Sequence, residues 1–299
     1  MINNSLFKTI ILTGLALIAF AANSVLCRLA LDNEAIDASS FTVIRLLSGT
    51  IVLLIIISTT RRNSRNTART STKGSWTASL MLFIYATTFS YAYISLDTGT
   101  GALILFGSVQ ITMILLSLIS GTRLHITEWV GVVIAFAGFI YLILPGVTTP
   151  SVIGFTLMTV AGISWGIYTL KGRGSKSPLM DTAYNFFRTT PLVVLLAIST
   201  INNINYSSEG IILALLSGGI TSGIGYTIWY IALGGLSSTQ AAVLQLSVPV
   251  IAALGGIIFV SETITFRLTI SAAMVLGGIL IVVLGKYFGT DGIRGRVGV

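Results

Sequence analysis

Apolar stretches of about twenty residues recur along almost the whole chain, and each is long enough to cross a bilayer as a helix. They fall near residues 6–27, 39–58, 76–95, 99–120 and 127–144, then 152–170, 182–200, 209–232, 238–260 and 266–285. Ten such runs in 299 residues leave little room for a water-soluble domain. Apolar residues make up 54% and charged residues 9%, where a soluble domain carries about 25% charged. Thirty-one glycines against five prolines fit helices packed closely through small residues. The run from Leu6 to Leu26 exceeds the roughly 7–15 apolar residues of a signal peptide, so it reads as the first membrane span.

Charge sets the orientation. Arg61, Arg62, Arg65, Arg69 and Lys73 stand in one loop without an acid, and Lys171, Arg173 and Lys176 follow the sixth run. With ten spans these fall on one side, together with Lys8, Arg123 and the tail residues Lys286, Arg294 and Arg296. Asp32, Glu34, Asp37, Asp97, Glu209 and Glu262 fall on the other. The positive-inside rule makes the basic side cytoplasmic and predicts both termini inside, in a bacterial-type inner membrane. Nine or eleven spans would break this segregation. The basic loop 59–74 reads as a topology determinant, with binding of anionic headgroups as the other reading. The net charge of +8 has no aromatic-basic weave around it, so nucleic acid is not an expected partner. A single Cys27 and a single His125 exclude an internal disulfide and a multi-histidine metal site.

The two halves echo each other. Arg28 and Arg45 lie 17 residues apart, and so do Lys171 and Arg188. Thr42 to Leu47 answers Asn185 to Thr190, Ser90 to Leu96 answers Thr227 to Leu233, Ser108 to Ile111 answers Ser247 to Val250, and Gly138 answers Gly277. A repeat of five crossings is odd in number, so its second copy enters the membrane from the opposite side. The expected fold is therefore an all-α polytopic membrane protein of ten transmembrane helices in two inverted five-helix repeats. The first spans 6–144 and the second 152–285, with a cytoplasmic tail over 286–299.

Several stretches resemble the EamA-type branch of the drug/metabolite transporter superfamily. They are Gly101 to Gln110, Ile163 to Tyr168, Gly225 to Tyr230, and Gln245 to Pro249, with Glu262 closing the ninth span. The resemblance covers roughly residues 6–285. It implies ten helices, two EamA units and a central cavity lined from both halves. The tail from Lys286 to Gly298 instead resembles the opening of a phosphoglucosamine mutase. Neither the phosphoserine loop nor the metal-binding acids of that enzyme follow, so no mutase activity is expected.

Arg45 and Arg188 lead the candidate substrate-binding residues. Each lies about two turns inside its span, about 9–10 Å from the helix end. A guanidinium at that depth must meet protein, water or an anion. It either clamps a carboxylate or phosphate with its bidentate fork, or binds helix-end carbonyls and snorkels to the interface. Gln110 and Gln245 place amides well inside spans four and nine, where they line a cavity or bond across helices. Trp165 and Tyr168 share a helix face. Tyr226, Trp229 and Tyr85 complete the aromatic set, while Tyr91, Tyr93 and Tyr230 near span ends read as interfacial anchors. Pro249 removes a backbone bond in span nine, and with Gly225 it marks a kink or hinge.

No Asp or Glu occupies the middle of a span, so no acid-based proton relay is expected. No Walker-type loop is present, so ATP is not expected to drive the protein, and no cofactor is implied. The chain reads as a secondary transporter, not an enzyme. It would move a small polar metabolite, such as an amino acid, in the export direction by alternating access, with lipids as its surroundings. A lipid or lipid-linked-sugar flippase on the same fold is the alternative.

Overall fold

The computed structural model describes residues 2–32, 34–63, 74–119, 121, 126–144, 150–172, 175–236, 241 and 244–294. Most of the basic loop 59–74 lies outside them, as do Arg123, His125, Arg173 and Arg296.

The described residues form ten helices: α1 (Ile2–Asp32), α2 (Ala38–Asn63), α3 (Trp76–Ala92), α4 (Thr98–Ile119), α5 (Ile126–Ile143), α6 (Val152–Gly172), α7 (Pro178–Ser199), α8 (Ser208–Leu233), α9 (Val248–Val260) and α10 (Phe266–Arg294). Among the described residues six of these, α1, α2, α4, α5, α6 and α8, are long and apolar enough to cross a membrane outright. Lipid leaves no alternative to helix for such segments, because backbone groups there find no water. The outer faces of the ten helices carry Ile18, Leu54, Val133, Leu195 and Ile258, all exposed. In a bilayer these are the residues that meet acyl chains.

The ends are fixed locally. Ser75 caps α3 by accepting from the Ala78 amide at 3.0 Å. Pro178 opens α7, where its missing N–H has no helical partner to lose. Helix α8 is α-helical at both ends but π-helical over Ser217–Ile224, a widening that places extra side chains on the inner face. The ninth span is not the continuous run expected over 238–260. Helix α9 begins at Val248, and the Ser247 amide reaches back only to the Leu244 carbonyl at 3.2 Å, a tight turn ahead of Pro249. Pro249 thus occupies a first-turn position, where its ring and missing donor are tolerated. The segment 286–294, expected as a tail, continues α10 as helix.

Packing couples the halves. Helix α3 lies on α6 and α7, as α8 lies on α1 and α2; α4 lies on α6, as α9 lies on α1. Three further pairs, α2 with α7, α4 with α9 and α5 with α10, join equivalent helices. Exchanging each helix for its counterpart five places on therefore reproduces these contacts. Close approach rests on small residues: a Cβ at Gly218 would overlap the Arg45 carbonyl, and one at Gly162 the Leu105 carbonyl.

Candidate functional site

Arg45 of α2 is 1% exposed in the middle of the bundle. Its Nε donates to Ser222 Oγ at 3.0 Å, and its Nη2 donates to the hydroxyls of Tyr226 at 2.8 Å and Tyr85 at 3.2 Å. The guanidinium carbon stands 5.2 Å from the Tyr85 ring centre and 4.9 Å from that of Phe89. Nη1 is buried without a hydrogen-bond partner. No carboxylate pairs with Arg45 among the described residues; Asp32, Asp97 and Glu262 pair with Arg28 instead. Arginine cannot shed its proton to escape such a place, and a buried ion without a counter-charge costs several kcal/mol, roughly. Hydroxyls and ring faces offset part of that cost. The remaining donor capacity is suited to an anion.

Beside this cation the aromatic residues pack against one another. Trp165 lies 4.5 Å from Tyr226 and 5.0 Å from Tyr85 between ring centres, and stacks on Tyr168 at 5.3 Å. Phe20 meets Trp165, Tyr226 and Trp229 at 5.5–5.9 Å. The indole nitrogens of Trp165 and Trp229 are buried without an acceptor. Three nitrogen donors at one centre thus await an acceptor, among groups that ordinarily do not go unpaired.

A second polar cluster adjoins it. Asn23 Oδ1 accepts from Ser217 Oγ at 2.6 Å, Thr221 Oγ1 at 3.2 Å and Ser222 Oγ at 3.5 Å, while its Nδ2 donates to the Tyr85 hydroxyl at 3.4 Å. All three hydroxyls stand in the π-helical stretch. Ser222 links the cluster to Arg45. Sequence reasoning missed Asn23, Ser222, Phe20 and Phe89; the last three, small and polar or plainly apolar, give no signal within a hydrophobic run. The one available cue was Asn23 itself, an amide deep inside the first span.

The other expected residues separate. Gln110 and Gln245 are both buried, and Gln245 Nε2 donates to the Ala241 carbonyl at 3.3 Å while its Oε1 lacks a partner. Tyr93 and Tyr230 are buried, not interfacial: Tyr93 donates to the Thr98 carbonyl at 3.3 Å, and Tyr230 stacks on Tyr168 at 5.8 Å. Gly225 ends the π-helical stretch against Ala19, and Pro249 lines an apolar groove with Gly99 and Leu103. Arg188 is not at the centre. Its guanidinium lies over Trp76, 5.3 Å from the ring centre, at the outside of α7. The reason is rotation: Phe186 faces inward, fully buried and 6.1 Å from Tyr226, and two residues on is about 200° around a helix.

Ion pairs and caps tie helices together at both ends. Glu262 accepts from the Thr98 amide at 2.8 and 2.9 Å, from Thr98 Oγ1 at 2.9 Å and from Arg28 Nε at 3.3 Å. A carboxylate there sits at the positive N-terminus of α4. Arg28 also pairs with Asp32 at 2.6 Å and reaches the Tyr93 carbonyl at 3.0 Å. At the opposite end Asp181 accepts from the Gly74 amide at 2.9 Å and Asn185 from the Ser75 amide at 3.0 Å.

A bundle of ten apolar helices around a buried cation and aromatic cluster defines an integral membrane protein of the polytopic helical class. The sequence matches the EamA-like transporter family twice, over residues 7–144 and 152–284, and the chain belongs to that family. It is a membrane transporter of the drug/metabolite transporter superfamily. An uncharacterized protein of Pseudomonas aeruginosa is 45% identical over 275 residues, 92% of this chain and 94% of the relative. An uncharacterized transporter of Archaeoglobus fulgidus is 24% identical over 91% of this chain and 96% of its own length. A crystal structure of another protein superposes with a TM-score of 0.61 at 16% identity, covering 92% of this chain and 97% of that one; it shares the fold.

Proposed function

We propose that the protein is a secondary transporter that moves a small polar metabolite, an amino acid or a related compound bearing an anionic group, by alternating access of two inverted halves. The observation that carries this reading is Arg45: a permanent cation, 1% exposed, without a carboxylate partner among the described residues, contacted by side chains of α3 and α8 from both repeats. A carboxylate docked at Nη1 would neutralise the centre, and the indoles of Trp165 and Trp229 would orient the rest of the molecule. The Arg28–Glu262–Thr98 cluster serves as the gate on the acidic side. The Gly74–Asp181 and Ser75–Asn185 bonds serve as the gate on the basic side. Breaking one set while keeping the other would open the centre to one face at a time. Export, a bacterial-type inner membrane, cytoplasmic termini, and a partner list of metabolite and lipid without nucleic acid belong to the same proposal. An enclosed polar centre supports this reading over a flippase, which needs a lateral apolar opening.

Purified protein in liposomes tests it, with radiolabelled amino acids and related carboxylates as cargo. Time-dependent uptake of at least one anionic cargo, abolished by Arg45→Ala, is expected. A protein that moves none of a broad panel would overturn the transport reading, and one that moves its cargo equally with Arg45→Ala would remove Arg45 from the site.

A further inference from the structure

Arg188 is the cation that the central site leaves unused. It has no hydrogen-bond or carboxylate partner among the described residues, only the Trp76 ring beneath it. The two residues form one end of an open groove of about 770 Å³ on the flank of the bundle, continued along α7 by Phe187, Pro191, Val194 and Leu195. Phe187 is 53% exposed and Leu195 63% exposed, so the groove faces the membrane rather than the protein interior.

Its level in the membrane follows from the chain. Trp76 is the first residue of α3, and in sequence it follows closely on Arg65, Arg69 and Lys73. An indole at that place marks the headgroup boundary, and Arg188 reaches it by extending along the helix toward its own basic end. The groove therefore has a cationic, aromatic mouth at headgroup depth and an apolar floor running toward the bilayer centre. Pro191 lacks an N–H, so the Phe187 carbonyl, four residues earlier, loses its helical donor within the same groove. The lining offers a cation for a phosphate, an acceptor for a hydroxyl and a wall for an acyl chain.

We infer that this groove is a binding site for one anionic phospholipid of the leaflet on the basic side. The phosphate sits on Arg188 beside Trp76, and one acyl chain lies along Val194 and Leu195. Charge complementarity selects the occupant: a zwitterionic lipid brings an ammonium into a place where Arg188 already holds a positive charge with no carboxylate to balance it among the described residues. The site is independent of the transport reading, because Arg188 faces away from Arg45.

Native mass spectrometry of the delipidated protein, titrated separately with phosphatidylglycerol, phosphatidylcholine and inorganic phosphate, tests the inference. One phosphatidylglycerol is expected to be retained in preference to phosphatidylcholine. Arg188→Gln should weaken that retention about fivefold, the factor for losing one basic contact near an anionic leaflet, and Arg188→Lys should keep most of it. Trp76→Leu, which preserves the charge, should weaken retention by a smaller factor and guards against a misfolded glutamine variant. Equal retention of the two lipids, unchanged phosphatidylglycerol binding in Arg188→Gln, or displacement of the lipid by millimolar inorganic phosphate would each overturn the site.

Discussion

Arg28 Nε lies 3.3 Å from Glu262 Oε1, joining α1 of the first repeat to the end of α9 in the second, across 234 residues of sequence. The contact depends on local backbone at both ends. Ser261 turns into the left-handed region at φ 59°, which swings Glu262 back over Gly256 toward the first amide of α4. The carboxylate then caps one helix while it holds the arginine of another.

Removing that carboxylate should open this end of the bundle. Charge-assisted hydrogen bonds contribute about 1.5–3 kcal/mol each, so Glu262→Ala is expected to raise the population open to the acidic side tenfold or more. Cys27, the one cysteine in the sequence, is fully buried beside Arg28 and serves as the reporter. Its labelling by a membrane-impermeant maleimide should accelerate in Glu262→Ala. An unchanged labelling rate would show that the cluster does not hold this end closed.

Arg45 should show opposite signs for stability and transport. Arg45→Met removes a buried charge while Tyr226 still donates to Tyr85 at 3.2 Å and Ser222 to Asn23. Replacing a buried ion by an apolar side chain of similar volume is often neutral or stabilising by about 1–4 kcal/mol. Thermal unfolding in detergent is therefore expected at or above the parent temperature, with transport lost. Arg188→Ala should leave transport within about twofold of the parent, since its side chain lies outside the helix ring. A large loss of stability in Arg45→Met would show that the cation holds the bundle together instead of awaiting cargo.

Much of this was legible in the chain. Ten apolar runs and segregated charges foretold ten helices, because lipid imposes a length and a polarity that composition records. Arg45, Trp165, Tyr168, Tyr226 and Trp229 were singled out as candidates because large polar or aromatic groups inside such runs are conspicuous, and the fold brings them into one buried cluster. Arg188 misled for a physical reason: sequence spacing located its depth, but a helix turns by about 100° per residue, and depth says nothing of face. Asn23 and Ser222 escaped because their role exists only where α1 and α8 meet. The π-helical widening of α8 has no signature beyond a run of small residues that also reads as ordinary packing.

Those small residues separate into two kinds. At Gly218 a Cβ would overlap the Arg45 carbonyl and Ser48 Oγ, and backbone does not yield readily. Gly218→Ala is expected to destabilise by about 1–3 kcal/mol, the usual penalty for overpacking, and to displace Arg45 with it. At Gly277 nothing stands within 4 Å of the added Cβ, so Gly277→Ala should be neutral or stabilise α10 by up to about 1 kcal/mol through helix propensity. Paired thermal melts decide it. Similar behaviour of the two variants would mean that α2 and α8 are not in the close contact described.

Asp37 supplies a pH dependence that is independent of transport. It binds the α1–α2 connection to the α7–α8 connection: its carboxylate accepts from the Ser40 amide at 2.9 Å and the Asn205 amide at 3.0 Å, and its own amide donates to the Asn205 carbonyl at 2.8 Å. Partial burial pushes the carboxyl up, but the hydrogen bonds from Ser40 and Asn205 outweigh it and hold the group below its ordinary value of 3.8. The folded form therefore binds the proton less readily than the unfolded form. The resulting stability is complete above the unfolded value, near pH 4, and is lost as pH falls through the lower folded value. Asp37→Asn removes the titrating group. Melting temperatures of the two proteins should differ by a constant amount from about pH 5 upward and converge below about pH 4. A difference that stays constant down to pH 3 would show that the Asp37 bonds do not favour the ionised form.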